Sequence, residues 1–277
     1  MSVRGQGAAG PEQVPAPDRA ASVPDRASAP VLVSLNGGRG AADGAAVPLS
    51  PPDVVEAALA AVAAGAGEVL VHPRTPCGRE SLSPRVVGPL LEAMRGAGVF
   101  VPLSVSAGIG AEPDPAGRLE RVRSWTVLPD RAVVHFAEPG AEELGRALLA
   151  RGVAVDAVVP LRGEDGARPG AGPLARFLAW PVRDPGRVRL SVELAAADPG
   201  LVAGLRWLPP VPLLLFGREA AAWPVLRLAA RCGAAARTGL GDVLHLPDDR
   251  PARSNAELVE AAAREIAAAG ATTAGSR

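Results

Sequence analysis

The chain contains no lysine; all 29 of its basic residues are arginine. Without an amine side chain, Schiff-base chemistry is excluded, and a lysine-type aldolase with it. Neither sign of charge is in excess, because 29 acidic residues balance the 29 basic ones. Nucleic acids and anionic membrane surfaces select for a basic surplus, so neither is expected as a partner. Cysteine is scarce. Cys77 and Cys232 lie far apart and form neither a CxxC pair nor a disulfide framework, which fits a reducing cytoplasmic compartment. No apolar run reaches the roughly 18–20 residues that span a bilayer. The N-terminus lacks the apolar core of a signal peptide, and Glu12, Asp18 and Asp25 argue against a transit peptide.

What remains is a chain of 277 residues, 48% of them hydrophobic, enough for one large domain or two small ones. Residues 1–29 are rich in Ala, Pro, Gly and Arg without periodicity and are expected to form a disordered N-terminal extension. Residues 271–277 are expected to be a flexible tail. Between them a strand–helix unit recurs. VLVSLN (31–36) precedes Gly37-Gly38, and a helix starts at Ser50-Pro51-Pro52-Asp53, with proline in its first turn. Further strands are expected at 67–72, 99–106, 131–136, 153–159, 187–193, 211–216 and 235–238, each followed by a helix except that a less regular piece, with Leu174–Trp180 as its candidate helix, follows 153–159. The last helix opens on Ser254-Asn255-Ala256-Glu257, which has capping-box spacing. Eight such units with near-continuous apolar strands predict an α/β fold, a single (β/α)8 TIM barrel over residues 30–270. An open doubly wound sheet is the alternative.

The second unit, GEVLVHPRTPCGR (67–79), is the most informative. Its strand is stopped by Pro73, which cannot donate to a ladder, so His72 and Arg74 stand together at a strand end. In a parallel barrel ligands bind at that end. The other strand ends supply Asn36 and Arg39, Ser104 and Ser106, His135 and Glu138, Glu193, and Arg237 with Asp242. His72 reads as a metal ligand or general base, or as a hydrogen-bonded structural histidine. Arg74 reads as a carboxylate clamp or a rim salt bridge. Arg237 and Asp242 flank Thr238-Gly-Leu-Gly241; they read as a proton-transfer pair or a loop-stabilising ion pair. The glycines of that loop, and Gly37-Gly38-Arg39-Gly40, can expose backbone N–H groups to a phosphate or simply make turns. The latter lacks the lysine and the spacing of a P-loop. No G-x-S-x-G elbow supports a nucleophilic role for Ser104 or Ser106. His245 is expected in a surface turn, and Trp223 in helix packing.

With these residues in hand, the chain resembles the β-keto acid cleavage enzymes, the family of 3-keto-5-aminohexanoate cleavage protein. The matching segments are VSLNGGR (33–39), VPLSP (47–51), AAVAAGAGEVLVHPRTPCGRESLSP (60–84), RVRSWTVLPD (121–130), FAEPGAEEL (136–144), AWPVLRLAARCG (222–233), RTGLGDVLHLPD (237–248) and SNAELV (254–259). The resemblance implies a metal-dependent barrel that condenses a β-keto acid with acetyl-CoA, releasing acetoacetate and a new CoA thioester. It also implies a homo-oligomer. The ion it implies, Zn2+, is held by an H-x-H pair on the second strand and a Glu after the eighth, with an Arg and an Asp near the last strand assisting proton transfer.

Position by position, the second His of H-x-H is His72, and Arg237, Asp242, Ser106 and the Asn36–Arg39 loop match. The first His falls on Leu70, and the Glu falls on Gly241. An Asn common on the fourth strand is His135, and a His common in the seventh-strand loop is Phe216. Since catalytic zinc takes three protein ligands, His135 with Glu193 or Glu138 is the candidate compensation. Substrate-binding roles are expected for Asn36, Arg39, Arg74, Ser106 and Glu138, and catalytic roles for Arg237 and Asp242. Two alternatives stand beside the acyltransferase: a barrel that binds a carboxylate or CoA-like ligand through Arg237, Arg39 and Arg74 without turnover, and a metal-free enzyme with Asp242 as base.

Overall fold

A computed structural model describes residues 31–161, 172–181, 184, 186–205 and 211–274. Eight strands, Val31–Ser34 (β1), Ala66–Val71 (β2), Leu103–Ser106 (β3), Arg131–His135 (β4), Ala154–Leu161 (β5), Val188–Leu194 (β6), Leu213–Phe216 (β7) and Ala235–Thr238 (β8), pair in parallel and in chain order. β8 returns to β1 and closes the ring. Among the described residues eight α-helices accompany them: Pro51–Ala63 (α1), Pro84–Gly96 (α2), Pro115–Arg123 (α3), Ala141–Ala150 (α4), Gly172–Ala179 (α5), Pro199–Gly204 (α6), Ala222–Cys232 (α7) and Asn255–Ala274 (α8). The fold is a TIM barrel, and the open sheet is ruled out by the β1–β8 pairing. The expected N-terminal extension lies outside the described residues, and α8 runs four residues beyond the expected end of the barrel domain.

Local chemistry starts the helices where expected. Ser50 Oγ accepts from the Asp53 N–H at 3.3 Å while the Asp53 carboxylate accepts from the Ser50 N–H at 3.4 Å, a reciprocal capping box. Asp114 accepts from the Gly117 N–H, and Asp198 from the Gly200 N–H. Two strands begin later than their apolar runs. β3 starts at Leu103 and β7 at Leu213, each directly after a proline, Pro102 and Pro212, that has no N–H to donate. Both prolines still accept through their carbonyls, from the Val69 and Leu190 N–H groups.

Alternate strand residues face out, under the helices, or into the lumen. Outward ones such as Val33, Val69, Val105, Val134 and Leu190 join the main apolar core. Phe136, Phe177 and Trp180 interlock there, with ring centroids 5.3–6.5 Å apart. The lumen is layered. Midway it is apolar: Leu32, Leu70, Val133, Val158, Leu214 and Phe216 form their own cluster. Below that layer, toward the N-terminal ends of the strands, it is ionic. Arg189 donates to both oxygens of Glu68 (2.8 and 3.0 Å) and to both of Asp156 (2.6 and 3.3 Å). Ser104 donates to Glu68 at 2.6 Å, Ser191 donates to Asp156, and Arg131 stands 3.7 Å from Glu68. Burial pushes the Asp156 pKa up, but Arg189 and Ser191 outweigh it and hold the group below the usual carboxylate range.

Two carboxylates thus share one buried guanidinium across the lumen. Removing that guanidinium strands both of them in a low-dielectric interior. Arg189→Met is expected to cost about 3–5 kcal/mol of unfolding free energy, the usual loss when one partner of a buried pair is deleted. Denaturant titration checks this; a loss under about 1 kcal/mol would mean that water reaches the cluster.

Candidate active site at the C-terminal mouth

The mouth begins where β1 and β2 stop pairing. Their ladder ends at Ser34↔Leu70, after which the Leu35 N–H donates to the Leu70 carbonyl. A side chain then takes over the pairing. Asn36, fully buried, accepts from the His72 N–H at 2.9 Å and donates through Nδ2 to the His72 carbonyl at 3.1 Å. This two-bond clamp fixes the backbone that carries the imidazole. Pro73 then turns the chain out, and residues 73–81 fold back as a hairpin: the Ser81 N–H reaches the Pro73 carbonyl and the Thr75 N–H the Arg79 carbonyl, both at 2.8 Å. The return brings Glu80 to His72, with Oε2 3.2 Å from Nδ1. A carboxylate at Nδ1 favours the tautomer with the proton there, leaving the Nε2 lone pair free. Burial raises the Glu80 pKa, but the hydrogen bond with His72, together with the charge of Arg74, outweighs it and leaves the group lowered. Sequence reasoning missed Glu80; its only signal was the Thr75–Arg79 turn, which returns the chain to its starting point.

Alternation puts His72 on β2's extension, His135 on β4, Glu193 on β6 and Arg237 on β8 at the inward positions above the apolar layer. His135 is the most perturbed group there. Burial, then the positive charge of Arg237, push its pKa down to about 3. It is a neutral imidazole throughout the physiological range. Gly108 leaves room beside it, since a Cβ there would lie 3.4 Å from its ring and 3.3 Å from Glu138.

The arginines are engaged within the chain. Arg237 donates to both oxygens of Asp242, at 2.9 and 2.7 Å, and both residues are buried. Its guanidinium carbon lies 3.4 Å from the centroid of the Phe216 ring, a cation–π contact. Arg74 donates to the carbonyls of Gly78 and Gly37, both at 2.8 Å, and Glu80 lies 3.6 Å away. Arg39 donates to Glu219, Asp43 and the Leu240 carbonyl. Arg218 stands 3.4 Å from Glu193. Glu138 accepts from the Ile109 N–H and from Arg118, and burial still holds its pKa up. Ser106 is buried at the end of β3, on the same rim. Ser104 belongs to the ionic layer below, through Glu68. His245 sits in a turn bridged to Pro251, in the segment after β8, and its carbonyl accepts from the Trp223 indole. Asn255, one residue past the last helix cap, was not anticipated. Buried, it accepts from the Leu240 N–H and donates to the Leu35 carbonyl, joining the last loop to the first.

A closed parallel barrel with two imidazoles and a buried Arg–Asp pair at its C-terminal mouth falls in the (β/α)8 class that places its chemistry at this end. Within that class, the chain belongs to the β-keto acid cleavage enzyme family, whose sequence model matches residues 30–146 and 197–277. No curated protein matches the chain. Among solved structures, a ternary complex of ObcA with a C4-CoA adduct and oxalate is similar at 15% identity and a TM-score of 0.58, over 81% of this chain and 64% of that one. Apo ObcA gives 16% identity and 0.60, over 81% and 62%. The 3-dehydroquinate dehydratase of Aquifex aeolicus VF5 gives 13% and 0.54, over 86% and 98%. These likenesses show the fold alone. The chain spans less than two thirds of the ObcA length.

The residues present do not suit the metal that the family resemblance implies. At the first H-x-H position, Leu70 is part of the apolar lumen cluster with Phe216, which itself stands where a His is common. At the Glu position, Gly241 has no space for a side chain. A Cβ there would lie 2.4 Å from Ser34 Oγ, 2.7 Å from the Gly37 nitrogen and 3.0 Å from its Cα. Gly37, at φ +52°, closes the contact from the other side: its own Cβ would meet the Gly241 carbonyl oxygen at 2.7 Å. Nor does a compensating set assemble. Glu138 and Glu193 are held by Arg118 and Arg218, and among the described residues no three of His, Cys, Asp and Glu are placed to hold an ion. A three-ligand zinc centre does not fit these residues.

The His135 environment has a pH signature. The folded pKa lies below the unfolded value of about 6.5, so the native state binds fewer protons than the unfolded chain in that window. Its contribution is fully present above about pH 6.5 and is lost as pH falls toward 3, by up to about 1.4 kcal/mol per pH unit. The stability of His135→Asn is expected to fall less steeply over that range, by one proton's worth. Equal slopes in the two proteins would contradict the assignment.

Proposed function

We propose that the protein acts at this mouth on a β-keto acid and acetyl-CoA, the substrates the family resemblance implies. In that exchange the bond between the β-carbonyl carbon and the CH2 of the keto acid breaks. The CH2 takes the acetyl group and leaves as acetoacetate, and the released acyl group joins the CoA sulfur. The observation that carries the reading is the convergence of two pre-paired sets on one rim: His72 with Glu80, and Asp242 with Arg237.

The residues divide the work by chemistry. Glu80 on Nδ1 orients the imidazole so that Nε2 accepts a proton from a carbon acid. Asp242, held bidentately by Arg237, is the second proton acceptor. His135, neutral at working pH, accepts or relays a hydrogen bond without adding charge. Ser106 and Glu138 line the rim on the β3–β4 side, and the Asn36 clamp keeps His72 in register. Zinc is the ion the resemblance implies, but since its ligand set does not fit, no proton transfer is assigned to it. Cytoplasmic placement and self-assembly belong to the same reading.

A second reading has its own support. Leu70 and Phe216 fill the lumen beneath the mouth, and Arg39, Arg74 and Arg237 are already paired. A barrel so occupied suits binding of a CoA thioester without turnover. Incubation of the purified chain with acetyl-CoA and a panel of β-keto acids separates the two. Acetoacetate formation that falls at least tenfold in both His72→Gln and Asp242→Asn supports the exchange. Thermal stabilisation by CoA esters with no acetoacetate from any acid overturns it in favour of the binder.

A further inference from the structure

A cavity of about 170 Å³ lies between α1, α2 and the strand end and loop that follow β2. Its walls are mostly apolar: Leu49, Val54, Val86 and Leu90, with prolines from both helices. Val54 and Leu90 are buried and form the inner part; Arg85, on the first turn of α2, is exposed and marks the rim. His72 and Arg74 also line it, and no acidic residue does. The charge does not balance locally. Glu80 serves both His72 and Arg74, whereas Arg85 has no ion-pair partner among the described residues.

Two further features add positive potential. The buried Nε of Arg74, whose side chain is only 8% exposed, makes no hydrogen bond. The α2 N-terminus, which opens at the same rim, has no side-chain cap from Ser83 and no acidic residue in its first turn. An apolar interior with a cationic rim is complementary to one kind of molecule: an aliphatic tail ending in a single carboxylate. The size sets its length. A void of about 150 Å³ takes a benzene-sized guest, so this one takes about four to six carbons.

We propose that this cavity binds a short-chain saturated monocarboxylate, its tail against Val54, Val86 and Leu90 and its carboxylate at Arg85 and the α2 N-terminus. Each methylene that enters the apolar interior raises affinity about fourfold, the equivalent of about 0.8 kcal/mol. The cavity shares His72 and Arg74 with the mouth, but its carboxylate end, at Arg85 and the α2 N-terminus, takes no part in the acyl exchange proposed there, and its occupancy does not depend on turnover.

The test titrates the full chain with saturated acids from acetate to decanoate. It is followed through histidine imidazole NMR, which the chain's three histidines make simple to read, and through thermal shift. Affinity is expected to climb about fourfold per carbon up to five or six carbons and then to fall. Arg85→Gln, an exposed change, is expected to weaken hexanoate at least fivefold and leave hexanol unaffected; Val54→Phe is expected to weaken both. No saturable shift with any acid, or hexanoate binding unchanged in Arg85→Gln, overturns the proposal, and neither depends on whether Val54→Phe folds. Acid binding without acetoacetate formation supports the cavity while refuting the exchange, and loss of binding with exchange intact does the reverse.

Discussion

Two loops meet backbone to backbone at the mouth of this barrel, and the site is arranged around that contact. Gly37, after β1, and Gly241, after β8, approach so closely that neither could carry a Cβ without displacing the other. The Gly241 N–H donates to the Ser34 carbonyl at 2.9 Å, and Asn255 ties the same two loops together from beneath. On one side of the contact the Asn36 clamp sets His72; on the other, the turn out of β8 sets Asp242 against Arg237. Closing the seam orders the rim, and it also removes the space from which a glutamate would reach a metal. The same few ångströms thus align the paired groups and disallow the family's third ligand.

An all-arginine chain pairs its cations differently from one that uses lysine. A guanidinium offers up to five donors in a fixed fork, so one side chain can serve several acceptors. Arg74 bridges two loop carbonyls and approaches a carboxylate; Arg189 satisfies two carboxylates across the lumen; Arg237 holds Asp242 and lies on Phe216. In each case the cation organises the site through neighbours already in place. Arg85 is the contrast, a guanidinium at the rim of an apolar cavity whose charge meets no partner among the described residues.

The sequence revealed the scaffold far better than the interior of the site. Apolar strands bounded by glycine, and helices announced by Ser-Pro or Asp-Pro, are local signals, and they placed all eight units. The starts of β3 and β7 moved furthest, for want of the proline N–H, while those of β2, β5 and β6 shifted by one residue. The ionic layer was not legible. Glu68, Asp156 and Arg189 lie far apart in sequence, and a lone charge in an apolar strand looks the same whether it faces water or the lumen. Glu80 was hidden for a related reason: its partner is set by a hairpin's return rather than by helical or strand spacing. His72, Arg237 and Asp242 were recognisable because a proline or a glycine turn marks each strand end. Why Leu70 and Gly241 cannot be replaced by the family's two missing ligands became clear only from what surrounds them, an apolar lumen cluster and an opposing backbone.

The most direct test of that account is zinc binding by the Leu70→His/Gly241→Glu double variant, measured by equilibrium dialysis together with its unfolding free energy. The seam predicts a protein destabilised by about 1–3 kcal/mol through overpacking, with well under one ion per chain. One tightly held zinc per chain at undiminished stability would contradict it, and would mean that the two loops separate readily enough to readmit the family's metal centre.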